Sequence, residues 1–174
     1  EARVTLPLRK EYFFTAMKDV ERLILIDDDL SSNFLAKFVI SRVKSSADVR
    51  IFVSPEEAIQ FIESDYLDTK KDCNTVILVD INFAVMSGWE FLDSFSDYPE
   101  RIKNQFAVYV FSSSIARRDK EQAKLYSFVS GYIEKPFSKE IAQRIYFSNE
   151  DLKIDGEGNS AAASNSVNKL SAND

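Results

Sequence analysis

The 174-residue sequence contains no histidine. This absence excludes a serine–histidine–aspartate triad, a cysteine–histidine nucleophile, and zinc or haem held by imidazole. The chain also cannot carry a phosphohistidine of its own. Any chemistry must therefore depend on carboxylates, lysines, hydroxyls and backbone groups.

The single cysteine and the lack of long apolar runs limit the compartment and the partners. Cys73 cannot form a disulfide within the chain, which fits a reducing compartment. No apolar run is long enough to span a bilayer, and no signal-peptide pattern opens the sequence. The formal net charge of -6 argues against nucleic acid or an anionic membrane surface as a direct partner. We expect a cytoplasmic protein.

Glycine is also scarce, and its positions match the predicted domain. Two of the four glycines lie in a small, polar and aperiodic C-terminal stretch, and the others, Gly88 and Gly131, stand at the edges of predicted elements. We interpret residues 17–150 as one domain, residues 1–16 as an N-terminal appendage, and residues 151–174 as a disordered tail or linker stub.

Strand and helix patterns alternate five times along this domain. Short buried-strand patterns rich in β-branched residues occur at Arg22–Ile26, Val49–Val53, Val76–Val79, Phe106–Phe111 and Gly131–Glu134. An element with helical features follows each of them. This alternation predicts an α/β fold with a doubly wound, five-stranded parallel sheet.

Periodicity and capping residues predict the helices. The apolar face of the first helix consists of Phe34, Leu35, Phe38, Val39 and Val43. Ser54 and Ser138 can cap two later helices. The remaining helices are predicted at Gly88–Phe95, closed by residues 97–100, and at about 115–128.

Polar side chains stand at the carboxyl ends of four predicted strands. Asp27 and Asp28 follow the first strand, Asp80 the third, Ser112 the fourth and Lys135 the fifth. Because these ends share one edge of a parallel sheet, the side chains converge. Clustered carboxylates repel one another, and a hard cation such as Mg²⁺ relieves that repulsion. A nearby lysine and hydroxyl suit a phosphoryl group, which makes Asp80 a candidate nucleophile.

Each of these residues has a plainer interpretation when it is taken alone. Asp80 could merely start a turn, and Asp29 could cap the following helix. Lys135 could be a surface lysine, and Ser112 a strand-end hydroxyl. The coincidence of four strand ends is what favours a functional site.

The motifs at these positions resemble those of response-regulator receiver domains (CheY-like), the phosphorylated half of two-component signalling. They are ILIDDD at residues 24–29, VDINFAVMSGWEFL at 79–92, VFSSS at 110–114 and GYIEKPF at 131–137. The resemblance extends from about Arg22 to Phe147. Proteins of this family have a flavodoxin-like sheet with the strand order 2-1-3-4-5, and we take that order from the resemblance.

The resemblance implies a phosphorylation and metal site. Asp80 would be the phospho-acceptor. Asp28, Asp80 and the backbone carbonyl of Asn82 would bind Mg²⁺ directly, and Asp27 would assist.

The resemblance also implies a switch. Ser112 would be the hydroxyl that moves to the phosphoryl group, and Tyr132 the aromatic that changes rotamer on activation. Lys135 would form an ion pair with the phosphoryl group and would be joined to Pro136 by a cis peptide bond.

The sequence departs from the family pattern at a few positions. Phe83-Ala84 stands where the family usually has Met-Pro, although no acid, hydroxyl or lysine is lost. Ser112 replaces the commoner threonine. Asn82 and Ser114 stand where the family tunes the lifetime of its phosphoryl group.

These observations lead to the hypothesis of a stand-alone receiver. A histidine kinase or histidine phosphotransfer protein would phosphorylate Asp80, and the domain would then bind an unknown downstream protein. The readout surface would comprise the helix at 115–128, the fifth strand and the last helix, and this face could also form a homodimer. Because no output domain follows residue 151, the tail could alternatively be a linker cut from a longer protein.

Three other functions remain open. The main alternative is a receiver-fold interaction module that works without phosphorylation, but the complete set of acid, hydroxyl and lysine argues against it. A magnesium phosphohydrolase would usually carry a second acid where this chain has Asn82, and a cap domain; we therefore expect no enzyme beyond self-phosphorylation and dephosphorylation. A flavodoxin-like cofactor binder would need a phosphate-cradling loop after the first strand, which the sequence lacks.

Overall fold

A computed structural model describes residues 19–68, 73–83 and 86–147 of the chain. The predicted appendage, residues 1–16, and the predicted tail, residues 151–174, lie outside the described residues. Within those three ranges, no helix is both long enough and apolar enough to cross a membrane.

Strands and helices alternate through the described residues. The strands are β1 (Arg22–Ile26), β2 (Asp48–Phe52), β3 (Thr75–Val79), β4 (Phe106–Ser112) and β5 (Val129–Glu134). The helices are α1 (Leu30–Val43), α2 (Pro55–Ile62), α3 (Gly88–Ser96), α4 (Glu100–Lys103), α5 (Arg117–Ala123) and α6 (Lys139–Tyr146), with a π-helical turn at Glu63–Asp68 after α2.

The strands form one parallel sheet in the order β2-β1-β3-β4-β5. This confirms the doubly wound α/β fold and the strand order expected from the resemblance. β1 and β3 pair in register from Arg22 and Thr75 to Ile26 and Val79, so the two strands end side by side. β1, β3 and β4 are buried along their whole length because helices cover both faces of the sheet.

Alternate residues of the central strands face two separate cores. Ile77 and Val79 of β3 pack with residues of α2, α3, α4 and α5 on one face. Val76 and Leu78 pack with residues of α1 and α6 on the other. This is the period of two expected for a strand that is buried on both faces.

Side-chain caps fix the start of several helices. Ser54 and Ser138 accept hydrogen bonds from backbone N–H groups at the starts of α2 and α6, which confirms both predicted caps. Ser87 and Glu90 form a capping box at α3. Asp29 caps α1, in agreement with its plainer interpretation.

The apolar face predicted for α1 is largely wrong. Phe34 is 74% exposed and Phe38 is 49% exposed, and Leu35 is exposed as well. Only Val39 and Val43 of the predicted set pack, partly buried, against the core. The fully buried residues of α1 are Asn33, Ala36 and Ile40. The prediction from periodicity assumes that the largest apolar side chains of a helix are buried. The face of α1 that packs against the sheet instead carries mostly smaller side chains.

The helix predicted at 115–128 is shorter than expected. α5 ends at Ala123, turns follow, and β5 begins at Val129 instead of Gly131. Tyr126 and Phe128 therefore pack against the core from a turn. The segment 97–100, predicted only to close α3, leads directly into α4.

A buried guanidinium joins β1, β2 and the π-helical turn at the amino-terminal edge of the sheet. Arg22 is 4% exposed. Its Nε donates to Asp48 at 2.8 Å, and its Nη1 donates to Asp65 and, at 3.0 Å, to the hydroxyl of Tyr66. Burial alone lowers the pKa of Arg22, but its hydrogen bonds to Asp65 and Asp48 outweigh burial and raise it, so the group stays charged.

Replacing Arg22 should destabilise the domain more than replacing its exposed neighbour. We expect Arg22→Met to lower the free energy of unfolding by about 3 kcal/mol, because Asp48 and Asp65 lose a buried cation. Arg50 also bonds Asp48, at 2.8 Å, but its side chain is half exposed, so Arg50→Met should cost no more than about 1 kcal/mol. Urea denaturation measures both variants, and equal losses would contradict the expectation.

Buried tyrosines should make the fold sensitive to alkali. Burial raises the pKa of Tyr66 and Tyr109 to about 12. Below pH 10 these phenols are neutral in both the folded and the unfolded state, and the fold has its full stability. As the pH rises towards the folded pKa, the phenols ionise in the unfolded state first, which lowers the free energy of unfolding. Each residue should cost about 1.4 kcal/mol at pH 11. Denaturant unfolding between pH 8 and 11 tests this, and Tyr109→Phe should reduce the slope.

Candidate functional site

Backbone hydrogen bonds continue one residue past the strands and bring their carboxyl ends together. The N–H of Asp80 donates to the carbonyl of Ile26 at 2.9 Å, and the N–H of Lys135 donates to the carbonyl of Ser112 at 3.0 Å. The aspartate after β3 is thus fixed beside β1, and the lysine after β5 is fixed beside β4. The residues predicted to converge lie along one edge of the sheet.

The ammonium group of Lys135 lies between two buried carboxylates. Its Nζ is 2.7 Å from Oδ2 of Asp27 and 2.6 Å from Oδ2 of Asp80. Asp27 is fully buried and Asp80 is 5% exposed. Two such carboxylates side by side would repel each other in a medium of low polarity, and Lys135 supplies the compensating charge.

Lys135 holds its proton more firmly than an ordinary lysine does. Burial alone lowers the pKa of Lys135, but hydrogen bonds to Asp27 and Asp80, with the charges of both carboxylates, outweigh burial and raise it. Lys135 is therefore a cation at neutral pH. The lysine expected to pair with a phosphoryl group already pairs with the carboxylate that would carry one.

The side chain of Asn82 stands between Asp80 and Ser112. Its Nδ2 donates to Oγ of Ser112 at 3.0 Å and lies 3.4 Å from Oδ1 of Asp80. The backbone N–H of Asn82 donates to the same Oδ1 at 3.0 Å. The resemblance implies a role for the backbone carbonyl of Asn82, whereas this bridge by its side chain was not predicted.

Asn33 of α1 is a second site residue that the sequence did not reveal. Its Nδ2 donates to the backbone carbonyl of Asp27 at 2.8 Å, and Oδ1 of Asp27 accepts the N–H of Asp29 at 3.0 Å. These bonds fix the turn after β1, on which Asp28 is exposed. A polar residue on the sheet-facing side of a helix is the sequence signal for such a role. Because the predicted apolar face of α1 does not include Asn33, this residue was not predicted.

The oxygen donors at this edge suit a hard cation in their chemistry. Asp27, Asp28, Asp80 and the carbonyl of Asn82 provide oxygen ligands without sulfur or nitrogen, which magnesium prefers. In the part of the chain that the structure describes, however, no three acidic, histidine or cysteine side chains are grouped as cation ligands. The charge between Asp27 and Asp80 is that of Lys135, and the metal assignment stays a prediction.

Tyr132 of β5 contacts the loop that follows β4. Its hydroxyl donates to the carbonyl of Ser114 at 2.8 Å, and Nζ of Lys120 lies 5.7 Å from the centre of its ring. Burial raises the pKa of Tyr132, so its phenol is neutral and able to donate at physiological pH. The peptide bond between Lys135 and Pro136 is cis, as predicted.

Gly88 allows α3 to begin against the backbone of Asp80. A Cβ at Gly88 would lie 2.0 Å from the carbonyl oxygen of Asp80, so no side chain fits there. The next residue, Trp89, stacks on Tyr126 with ring centres 6.2 Å apart. In the departure Phe83-Ala84, Ala84 lies outside the described residues.

Comparisons with known proteins find matches among solved structures. The sequence matches no protein-family model and no curated protein. It is similar to a two-component response regulator from Cytophaga hutchinsonii, with 28% identity, a TM-score of 0.65, and coverage of 79% of this chain and 99% of that one. A response regulator receiver protein from Dyadobacter fermentans has 25% identity and a TM-score of 0.61, with coverage of 71% and 95%.

A more distant neighbour is the Mn²⁺-bound form of the response regulator Rcp1. It has 19% identity and a TM-score of 0.57, with coverage of 71% of this chain and 87% of that one. The resemblance of this chain to response-regulator receiver domains is confirmed by these neighbours. The shared fold supports a role in two-component signalling.

Removing the shared cation should destabilise the domain. We expect Lys135→Met to cost about 3–5 kcal/mol at pH 7.5 in metal-free buffer, because Asp27 and Asp80 would face each other without a counter-charge. Urea unfolding at pH 7.5 measures it.

The matched control is Lys124→Met, which removes an exposed lysine paired with Glu121. It should change the free energy of unfolding by less than about 1 kcal/mol. A loss for Lys135→Met no greater than that for Lys124→Met would show that charge compensation is not its role.

Proposed function

We propose that this chain is a phospho-acceptor switch of two-component signalling. Asp80 accepts a phosphoryl group from the phosphohistidine of a histidine kinase or a histidine phosphotransfer protein. The observation that carries this proposal is the 2.6 Å contact between the buried Asp80 carboxylate and Lys135, with Ser112 joined to the same carboxylate through Asn82. The proposed nucleophile, the cation and the hydroxyl thus lie together at one edge of the sheet.

The transfer needs no base from this chain. An oxygen of Asp80 attacks phosphorus, an O–P bond forms, and the P–N bond to the donor imidazole breaks. The donor ring, protonated at its other nitrogen, leaves as neutral imidazole. Because Asp80 is ion-paired with Lys135, its carboxylate attacks directly and no residue has to remove a proton from it. The transfer is therefore compatible with a sequence that contains no histidine.

A divalent cation, which we propose to be Mg²⁺, completes the site. Asp28, Asp80 and the backbone carbonyl of Asn82 would hold it, and Asp27 would assist. When bound, such an ion neutralises charge on the transferring phosphoryl oxygens. The Mn²⁺-bound form of Rcp1 supports a divalent ion in a protein of this fold.

The phosphoryl group would then reorganise its neighbours. Lys135 pairs with it, and Ser112 donates to it. A charge-assisted hydrogen bond contributes about 1.5–3 kcal/mol, and about 5.5 kcal/mol converts a mostly inactive population into a mostly active one. Two such contacts at the upper end of this range, or three near its middle, reach that difference. Tyr132 would relay the change to the face formed by α5, β5 and α6, our candidate surface for a downstream protein or a homodimer.

Exposed apolar residues beside the site offer a surface for the donor. Leu30 and Phe34 are 72% and 74% exposed, and α1 begins directly after Asp28 and Asp29. A donor protein that presents its phosphohistidine to Asp80 would cover this part of α1. Burial of these side chains would favour the complex.

The proposal is tested by incubating the protein with acetyl phosphate and MgCl₂, followed by intact-mass spectrometry. We expect one phosphoryl adduct on the wild type. It should disappear in Asp80→Asn and after chelation of Mg²⁺, because the nucleophile or the charge neutralisation is then missing. Asp93→Asn, which changes an exposed carboxylate of α3, should keep the adduct.

Other outcomes identify the alternatives. A wild type that gains no adduct would reject the phospho-switch and leave the unphosphorylated interaction module. Multiple turnovers of a small phosphate ester would instead identify a phosphohydrolase, whereas we propose that the chain catalyses only its own phosphorylation and dephosphorylation.

A further inference from the structure

Ser114 joins the site to two elements beyond it. Its N–H donates to Oγ of Ser112 at 3.2 Å. Its hydroxyl donates to Oδ2 of Asp119 in α5. Its carbonyl accepts the hydroxyl of Tyr132 in β5 at 2.8 Å. Ser114 is thus tied at the same time to the switch hydroxyl, to α5 and to β5.

These contacts continue the bridge made by Asn82 into one path of hydrogen bonds. In order, the path runs through Asp80, Asn82, Ser112, Ser114 and Asp119. It connects the acceptor carboxylate to the first turn of α5. Asp119 is the member of this path to which neither the motifs nor the proposed transfer gives a role.

Asp119 anchors the start of α5, in addition to the ion pair of Lys120 with Glu134 of β5 at 2.7 Å. The residue before α5 is Ala116, which has no hydrogen-bonding side chain. Oγ of Ser114 accepts the N–H of Ala116 at 3.2 Å while its own proton goes to Asp119. The Asp119 side chain is only 14% exposed, so water screens this contact less than a surface pair.

We propose that Asp119 is a positioning residue that holds the loop after Ser112 in its unphosphorylated position. The inference rests on the proposed phospho-acceptor function. When Ser112 moves to a phosphoryl group on Asp80, the N–H of Ser114 follows it, and the hydroxyl of Ser114 leaves Asp119. The contact therefore opposes activation, and its strength sets how much of the protein is active before phosphorylation.

The chain contains a reporter for this movement. Trp89, its only tryptophan, stacks on Tyr126 in the turn after α5. The hydroxyl of Tyr126 donates to Asp93 of α3 at 2.8 Å. A shift of α5 and its following turn changes the surroundings of Trp89, and its fluorescence reports that change.

The test is the affinity for beryllofluoride, a phosphoryl mimic, in the presence of MgCl₂. Trp89 fluorescence and isothermal titration calorimetry both measure it on the full chain. We expect Asp119→Ala to bind about tenfold more tightly than the wild type, because the unphosphorylated state alone loses a hydrogen bond to a charged acceptor. Asp119→Asn keeps an acceptor oxygen and should stay within about threefold of the wild type.

Two further variants separate this role from a general effect on α5. Glu121→Ala removes an exposed carboxylate of the same helix, which pairs with Lys124, and should leave the affinity unchanged. Ser114→Ala removes this bond together with the one from the N–H of Ala116, so it should tighten binding at least as much as Asp119→Ala does. The double variant should bind no more tightly than Ser114→Ala, because the bond between the two residues can be lost only once.

The outcomes distinguish this inference from the proposed function. If Asp119→Ala binds no more tightly than the wild type while acetyl phosphate still modifies Asp80, the inference is wrong and the acceptor function stands. If no variant binds beryllofluoride or gains an adduct, both are wrong. Should Asp119→Ala fail to fold, Ser114→Ala decides, since unchanged affinity in that variant overturns the inference.

Discussion

The carboxyl edge of the sheet depends on one ammonium group shared by two buried carboxylates. Asp27 follows β1, Asp80 follows β3 and Lys135 follows β5, so the charge balance of the two central strands is completed only by the last one. Without that strand, two acids would be desolvated with no counter-charge. The arrangement that supports Asp80 as the proposed nucleophile is therefore also a condition for a stable sheet.

The two edges of the sheet use the same charge pattern with different cations. At the amino-terminal edge Arg22 binds Asp48 and Asp65, and its planar group is fixed further by Tyr66. A guanidinium with several directed donors suits a permanent structural joint. At the carboxyl edge the cation is a lysine, a compact charge on a flexible stem that can follow a new anion. The chemical difference matches a rigid edge opposite an edge that can reorganise.

Much of the fold and the main site residues could be predicted from the sequence, because they depend on local patterns. Short β-branched runs mark the strands, and the parallel arrangement then places Asp80, Ser112 and Lys135 at one edge. The packing of α1 could not be predicted, since periodicity does not indicate how closely a helix approaches the sheet. The bridge by Asn82 was also out of reach, because it depends on the direction of one side chain after β3.

The close contact between Gly88 and the backbone of Asp80 limits which residues can occupy position 88. Every other amino acid would place a carbon atom 2.0 Å from the carbonyl oxygen of Asp80. Because the interior is close-packed, α3 cannot move away from Asp80 unless the elements packed against it move as well. In a saturation library selected for a folded domain, position 88 should return only glycine, although it contributes no functional group. A residue without a side chain is thus a strict requirement of this edge of the sheet.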